Sequence, residues 1–307
     1  MDAAWEHFHA DREGSPSEVY PALARVAPDL FGICVAGADG HVYAVGDAET
    51  TFAIMSVAKP FVFALACQTI GPAEAHRLIG ANATGLPFNS LEAVRQSGDG
   101  RTNPMVNPGA IATTSLAPGT TAAEKWRAIH DALSGFAGRT LELDEDIYSS
   151  ASATNHKNRD LTALLQSRSR IFCDPALALD LYTRQSCLTV TARDLAIMGA
   201  TLADGGVNPL TRSRVIDARL CHHTLAVMTT AGLHESSGDW LYDVGLPAIS
   251  GIGGGIVTVS PGKGGLGTYA PRLDAAGNSV KGQLAARFLS QKLSLDLFAS
   301  RPAVARR

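Results

Sequence analysis

The chain has 307 residues, of which 46% are hydrophobic and 18% are charged, so it can bury a large core in one domain or two closely packed lobes. Its net charge is −3 and its charges form no like-signed block, which argues against a nucleic-acid or anionic-membrane partner. The N-terminus lacks the basic and apolar segments of a signal peptide, and no apolar run has the length of a membrane span.

The first predicted elements are a β-hairpin and a buried helix. Within residues 31–47, two strand-like runs flank Asp39-Gly40, which is a strong turn signal. The apolar run from Phe52 to Ala66 then predicts a helix that ends near Gly71.

The middle of the chain is predicted to be helical, and strands return towards its end. Capping residues and glycine stops set the helix limits, whereas β-branched residues mark the strands. The predicted elements are a helix from Thr121 to about Gly135, a helix from Thr191 to Gly205, strands at 255–259 and 265–270, and a closing helix at 281–297.

This order of elements predicts an α/β (α+β) fold. An antiparallel sheet would be built from both ends of the chain and flanked by helices, with a helical lobe inserted between them and a cleft at the junction. We assign residues 20–50 and 225–300 to the sheet lobe and residues 51–224 to the mainly helical lobe, within one catalytic unit at 1–307.

A nucleophile and a base occur three residues apart in the apolar run. Residues at this spacing share a helix face, so the Ser56 hydroxyl can approach the Lys59 ammonium. Lysine among apolar neighbours loses pKa and can take the serine proton, and Ser-x-x-Lys is one known solution for acyl transfer. An isolated match is also typical of a polar patch on a helix. The rest of the sequence must therefore distinguish a catalytic pair from such a patch.

Three further segments have compositions that are unusual for an ordinary core. Asn103 and Asn107 lie beside prolines, where their amides could fix a polar substrate or simply form Asn-Pro turns. Residues 245–255 concentrate glycines before a strand, which lets backbone N–H groups approach a ligand as an oxyanion hole. The polar residues 154–160 form either a loop at the cleft or a solvated helix start.

The cysteines and histidines show no pattern that indicates a cofactor. The five cysteines are scattered without Cys-x-x-Cys spacing, which argues against a disulfide framework or a zinc site and indicates a reduced, cytoplasmic setting. Cys221, His222 and His223 are interpreted as a helix surface. We therefore expect no metal and no cofactor.

Together these segments resemble the serine-dependent glutaminase family, whose fold is related to that of the serine β-lactamases and penicillin-binding proteins. The resemblance extends from about Tyr20 to Lys281. It depends on five signatures: Gly85-Leu86-Pro87-Phe88-Asn89-Ser90, Asn103-Pro104-Met105-Val106-Asn107, Val190-Thr191-Ala192-Arg193-Asp194-Leu195, residues 199–206, and Val244-Gly245-Leu246-Pro247-Ala248.

The resemblance implies roles for individual residues. It makes Ser56 the nucleophile and Lys59 its base, and it places the Ile252 backbone N–H in the oxyanion hole. Residues implied to bind an amino-acid substrate, or to lie near it, are Tyr20, Asn107, Asn158 and Tyr182.

The chain departs from the family pattern at three positions. The resemblance implies a glutamate at Ala151 to pair with the substrate α-ammonium, a tyrosine at His234 and a lysine at Ile249. An ammonium without its carboxylate partner costs about 3–5 kcal/mol, or two to four orders of magnitude in recognition. We therefore expect a less zwitterionic ligand and weak or absent hydrolysis of glutamine, while His234 could still shuttle a proton or donate a hydrogen bond.

The sequence thus predicts a glutaminase-like Ser–Lys amidohydrolase that releases ammonia from L-glutamine or a similar small-molecule amide. The alternatives are an acyl-transfer enzyme or an amidase on another substrate, and a non-catalytic binding protein of the same fold. The resemblance also implies a homo-oligomer, either a dimer or a tetramer. The apolar stripe of the closing helix could contribute an interface, but it is expected to pack mainly on the sheet.

Overall fold

Two antiparallel sheets are present in the computed structural model, which describes residues 1–300. The strands are β1 (Gly32–Gly37), β2 (Val42–Gly46), β3 (Phe52–Ala53), β4 (Glu142–Leu143), β5 (Leu188–Val190), β6 (Ala248–Ser250), β7 (Gly255–Ser260) and β8 (Gly264–Tyr269). The larger sheet has the order β2-β1-β8-β7-β6, and the smaller has the order β3-β5-β4. The predicted sheet from both ends of the chain is therefore confirmed.

Helices flank the larger sheet and fill the sequence between its two halves. They are α1 (Asp2–Phe8), α2 (Lys59–Ile70), α3 (Pro72–Ile79), α4 (Leu91–Gln96), α5 (Asn107–Ser115), α6 (Ala122–Ala137), α7 (Glu145–Thr154), α8 (His156–Ser167), α9 (Pro175–Ser186), α10 (Ala192–Ala203), α11 (Ala218–Ala231), α12 (Ser237–Val244) and α13 (Val280–Leu293). Within residues 1–300, none is both long and apolar enough to cross a membrane.

Local signals explain several of these boundaries. The Thr121 side chain accepts a hydrogen bond from the Glu124 N–H, and the Glu124 carboxylate accepts one in return, so the predicted capping box opens α6. Gly40 has φ +88° in the turn between β1 and β2, a conformation that favours glycine.

The predicted helix from Phe52 to Ala66 is wrong in its first part. Phe52 and Ala53 form β3, residues Met55–Ala58 form a short 3₁₀ turn, and α2 begins only at Lys59. Met55 adopts φ +49°, which no α-helix accommodates, and Pro60 fits the first turn of a new helix. The closing helix also ends earlier than predicted, at Leu293, because Ser294 is left-handed.

The larger sheet divides the core because successive residues of a strand point to opposite faces. On one face, Cys34 and Val257 join the large cluster that includes α10 and α2. On the other face, Ile33 and Ile256 join a second cluster with residues of α1, α12 and α13. The Ser56 turn lies where the helical region meets the end of this sheet, since it directly follows β3 and contacts β6 and β7.

Candidate active site

Ser56 lies on the short turn between β3 and α2. It is largely buried, yet it lines a cavity. The residue before it, Met55, has φ +49°, a strained conformation for a residue with a side chain. Such strain persists only where the surroundings hold it, and it is common at functional sites. The fold therefore presents Ser56 on a rigid, strained turn rather than within a regular helix.

The Lys59 ammonium is buried among neutral partners. Its side chain is at the start of α2, where the residue is only 2% exposed. Nζ donates hydrogen bonds to Met105 O at 3.0 Å and to Asn107 Oδ1 at 2.8 Å. Burial lowers the pKa of Lys59 to about 7. Lys59 is therefore about half neutral near physiological pH, and a neutral amine that donates these two bonds keeps its lone pair.

The structure agrees only in part with the prediction that the Ser56 hydroxyl approaches the Lys59 ammonium. Their spacing keeps them on consecutive turns, but Ser56 is not among the described hydrogen-bond partners of Nζ. Catalytic hydrogen bonds are often long without substrate and tighten when it binds.

A chain of amide hydrogen bonds extends from Lys59 along one wall of the cavity. Asn107 Nδ2 donates to Asn158 Oδ1 at 2.9 Å, and Asn158 Nδ2 donates to Asn155 Oδ1 at 2.7 Å. Asn155 Nδ2 in turn donates to the Thr183 hydroxyl at 3.2 Å. Because each amide is oriented by the next, the wall is preorganised.

Two tyrosines complete this polar wall. The Tyr182 hydroxyl donates to Asn107 Oδ1 at 3.1 Å, and the Tyr20 hydroxyl donates to Asn155 Oδ1 at 3.3 Å. Burial raises the pKa of Tyr20 to about 12 and that of Tyr182 well above its ordinary value. Both phenols therefore stay neutral and act as hydrogen-bond donors.

The cavity brings together most of the predicted site residues. It has a volume of about 230 Å³, which suits a small molecule. Its lining includes the six predicted residues Tyr20, Ser56, Asn107, Asn158, Tyr182 and Ile252. Lys59 lies behind this lining, hydrogen-bonded to Asn107.

A glycine-rich turn brings a backbone N–H next to the Ser56 turn. A Cβ on Gly251 would lie 3.2 Å from Ser56 N, and one on Gly253 would lie 2.3 Å from Ala53 O. At position 253, where the obstacle is a backbone oxygen, only glycine permits this approach. In the described part of the chain, the intervening Ile252 N–H donates to no backbone carbonyl. It is available to an oxyanion beside Ser56.

His234 is buried beside the cavity but does not line it. Its ring packs on Phe88, with centroids 4.4 Å apart, and Phe88 is part of the lining. Burial, followed by the charge of Lys59, lowers the pKa of His234 to about 3, so its imidazole is neutral. Within residues 1–300, both of its ring nitrogens lack a hydrogen-bond partner.

Of the other two departures from the family pattern, one lines the cavity and one lies in the main core, and both are apolar. Ala151, on α7, lines the cavity and is 1% exposed, in a cluster with Met55 and Cys187. Ile249, on β6, is fully buried in the main core together with Val57. Neither side chain can carry charge, so the cavity lacks the acid and the base that the resemblance implies at these positions.

The sequence-based prediction gives no role to Asn155 or Phe88, and for Asn103 it leaves open a substrate contact or a turn. Asn155 links Asn158 to Thr183, although the sequence indicates only a polar segment; this segment lies at the cleft, where α7 ends and α8 begins. Phe88 lies within a family signature that by itself implies no role for it. Asn103 forms a turn, because its Oδ1 accepts from the Met105 N–H and its Nδ2 donates to Asn82 O.

An antiparallel sheet joined to a helical region, with Ser-x-x-Lys at their junction, defines the class of β-lactamase-like serine enzymes. The sequence profile of the family described as Glutaminase matches residues 14–298. The chain belongs to the glutaminase family and is a hydrolase that acts on an amide.

Individual relatives agree with this assignment. The chain is similar to Glutaminase 2 of Yersinia pestis, with 62% identity over 98% of this chain and 89% of the relative. It is 45% identical to a glutaminase of Colwellia psychrerythraea over 97% of this chain and 96% of that one. The solved structure of the probable glutaminase ybaS has a TM-score of 0.96 and 40% identity, covering 97% of each chain.

Solved structures of Mglu are also similar. The glutamate form has a TM-score of 0.92 and 34% identity, covering 98% of this chain and 69% of that one. The predicted family and fold class are thereby confirmed.

Proposed function

We propose that the protein releases ammonia from the terminal carboxamide of L-glutamine or a glutamine-like amide through an acyl-enzyme on Ser56. The single observation that carries this proposal is the environment of Lys59. Its amine is buried, has neutral partners only and lies three residues from a serine that lines the cavity. These are the conditions under which lysine serves as a general base.

The first half-reaction forms the acyl-enzyme. Ser56 Oγ attacks the carboxamide carbon while the neutral Lys59 amine takes the hydroxyl proton. The backbone N–H groups of Ser56 and Ile252 stabilise the oxyanion. Lys59 then returns the proton to the leaving nitrogen, the C–N bond breaks, and ammonia departs.

The second half-reaction consumes water. A water molecule attacks the ester carbon, Lys59 takes a proton from it, and the C–O bond to Ser56 breaks as Oγ is reprotonated. We assign His234 a supporting role, as a neutral imidazole that donates a hydrogen bond from one ring nitrogen and accepts one at the other. Its two unpartnered nitrogens support this role.

The amide wall orients the rest of the substrate in this proposal. Asn107, Asn158 and the hydroxyls of Tyr20 and Tyr182 supply donors and acceptors that are already fixed in place. The known glutamate form of the similar protein Mglu supports an amino-acid-sized ligand for the family.

We also propose a homo-oligomer, a dimer or tetramer, that acts in the cytoplasm as a single catalytic unit with the lobes given above. The five cysteines are unpaired, which supports a reducing compartment. Leu293, at the end of α13, and Tyr242, on α12, are exposed apolar side chains that an interface could cover. Light scattering at micromolar concentration should show at least a dimer, and a monomer would refute this part.

The mechanism is tested by replacing the nucleophile. Ser56→Ala should reduce ammonia release at least ~10³-fold, because the acyl-enzyme cannot form. The matched control is Ser186→Ala, which removes another hydroxyl at the cavity; this hydroxyl donates to the backbone carbonyl of Tyr182. Unchanged ammonia release by folded Ser56→Ala protein, judged by its melting temperature, would refute the mechanism.

A further inference from the structure

The charged groups at the cavity are of one sign. Among residues 1–300, its lining includes no aspartate or glutamate, whereas Lys157 lies at its rim. Lys59 lies behind the polar wall, and Arg159 is next to His156, with its Nη1 3.2 Å from His156 Nδ1. A ligand ammonium that enters this cavity therefore loses water and gains no carboxylate.

Ala151, where the resemblance implies a glutamate, also has apolar surroundings. Ala151 is buried in a cluster with Leu23, Met55 and Cys187, and the partly buried Ile252 packs on the same cluster. The nearest acidic residues on α7, Glu145 and Asp146, are in its first turn, whereas Ala151 is in its second half and facing the cavity. This wall suits a methylene or another uncharged group.

The asparagine amides of the cavity suit a carboxylate. The Asn155 and Asn158 amides each donate one described hydrogen bond within the wall and keep a second N–H, and Lys157 supplies a positive charge at the rim. Donors of this kind, combined with a nearby cation, favour an anionic group. The cavity thus offers recognition for a carboxylate and for a carboxamide at Ser56, but its described lining offers no carboxylate to an ammonium.

We infer that the preferred substrates are ω-monoamides of small dicarboxylic acids that carry no free α-amino group. This inference rests on the proposed amide hydrolysis and specifies its substrate. Glutaramate, which is glutamine without its α-amino group, is the simplest member of the class. Water cleaves its C–N bond through the Ser56 ester, and the products are glutarate and ammonium, with no other reactant.

Binding without turnover tests the inference directly. Calorimetric titration of Ser56→Ala protein with glutaramate and with L-glutamine compares the two ligands in the same cavity. Glutaramate should bind about 10²–10⁴-fold more tightly, the factor expected for an ammonium left without its partner. Equal or tighter binding of L-glutamine would overturn the inference.

Turnover by the native protein separates this inference from the proposed function. Ammonia release should have a higher kcat/KM for glutaramate than for L-glutamine, by a similar factor. If both amides are hydrolysed equally, the mechanism stands and the substrate inference fails. If Ser56→Ala protein selects glutaramate but native protein releases no ammonia from either amide, the inferred ligand preference stands and the proposed hydrolysis fails.

Substitution of Ala151 supplies a matched pair of variants. In the Ser56→Ala background, Ala151→Glu should tighten L-glutamine binding at least ~10-fold relative to Ala151→Gln, because the two side chains differ in charge rather than in size. If both variants bind L-glutamine equally, the missing charge at this position is not what selects the substrate. The comparison of ligands in Ser56→Ala protein decides the inference even if neither Ala151 variant folds.

Discussion

At the scale of single residues, the candidate site contains a buried lysine, Lys59, whose described hydrogen-bond partners carry no charge. Lys59 has two neutral acceptors, Met105 O and Asn107 Oδ1, and no carboxylate among its described hydrogen-bond partners. A carboxylate would hold the ammonium charged, whereas neutral acceptors leave burial as the dominant effect on its pKa. In the proposed mechanism, the Asn107 amide therefore positions Lys59 without holding it in its charged form.

The pH dependence of kcat/KM follows from this environment. Because the pKa of Lys59 is about 7, its neutral form, which is the base, predominates above that pH. We expect kcat/KM for an uncharged amide to fall about tenfold per pH unit well below 7 and to reach a plateau above it. A profile that stays flat between about pH 5.5 and 8.5 would contradict Lys59 as the base.

Lys59→Arg serves as the control for this prediction. Arginine keeps a positive charge at all working pH values, so it cannot accept the Ser56 proton. Folded Lys59→Arg protein should lose at least ~10² in kcat/KM at every pH. Its melting temperature shows whether the larger head group has disturbed the site.

At the scale of secondary-structure elements, α10 lies unusually close to the larger sheet. A Cβ on Gly267, in the middle of β8, would meet Ala192 O at 2.0 Å and Ala196 N at 2.6 Å. Opposite Gly267 in the sheet stand Cys34 on β1 and Val257 on β7, so the contact is at the centre of the sheet. The glycine lets the helix backbone rest directly on the strand.

Gly267→Ala should therefore destabilise the protein. A methyl group would push α10 from the sheet, and overpacking of this kind costs about 1–3 kcal/mol of the free energy of unfolding, with more where backbone atoms are the obstacle. Gly238→Ala, within α12, is the matched control because a Cβ there meets no atom within 4 Å. Urea unfolding of both variants measures the difference, and equal stability of the two would contradict the close packing.

At the scale of the whole molecule, the helical region is held between two parts of one sheet. The chain leaves the sheet after β2 and re-enters it at β6, so residues far apart in sequence become neighbours on adjacent strands. The main core extends from this sheet into the helical region, through residues such as Val257 and Phe61. We expect the sheet and the helical region to unfold together.

Single-tryptophan variants test this cooperativity. Trp126 is on α6 in the helical region, and Trp240 is on α12 beside the larger sheet. Variants that keep only one of these, with the other and Trp5 changed to Phe, should show the same urea midpoint by fluorescence. Two separated midpoints would show that the regions unfold independently. The control is urea unfolding followed by circular dichroism, which must give the two variants the same overall stability.

The sequence by itself determined the features that a few neighbouring residues encode. Asp39-Gly40 predicted the hairpin, Thr121 and Glu124 predicted the start of α6, and the ordered signatures identified the family. Each of these signals acts over a few residues, through turn geometry, capping or motif spacing. The resemblance also places the three departures from the family pattern, at Ala151, His234 and Ile249, because each departure depends on residue identity alone.

Only the tertiary structure decided how these residues meet. The cavity joins Tyr20 to Ile252 across most of the chain, and no local pattern could show that Asn155 would connect Asn158 to Thr183. The 3₁₀ turn at Ser56 replaced the predicted helix because β3 pairs with β5, which is more than a hundred residues away in sequence. The charge and polarity of the site depend on which distant surfaces pack together, and that is set by burial of the whole core rather than by local preference.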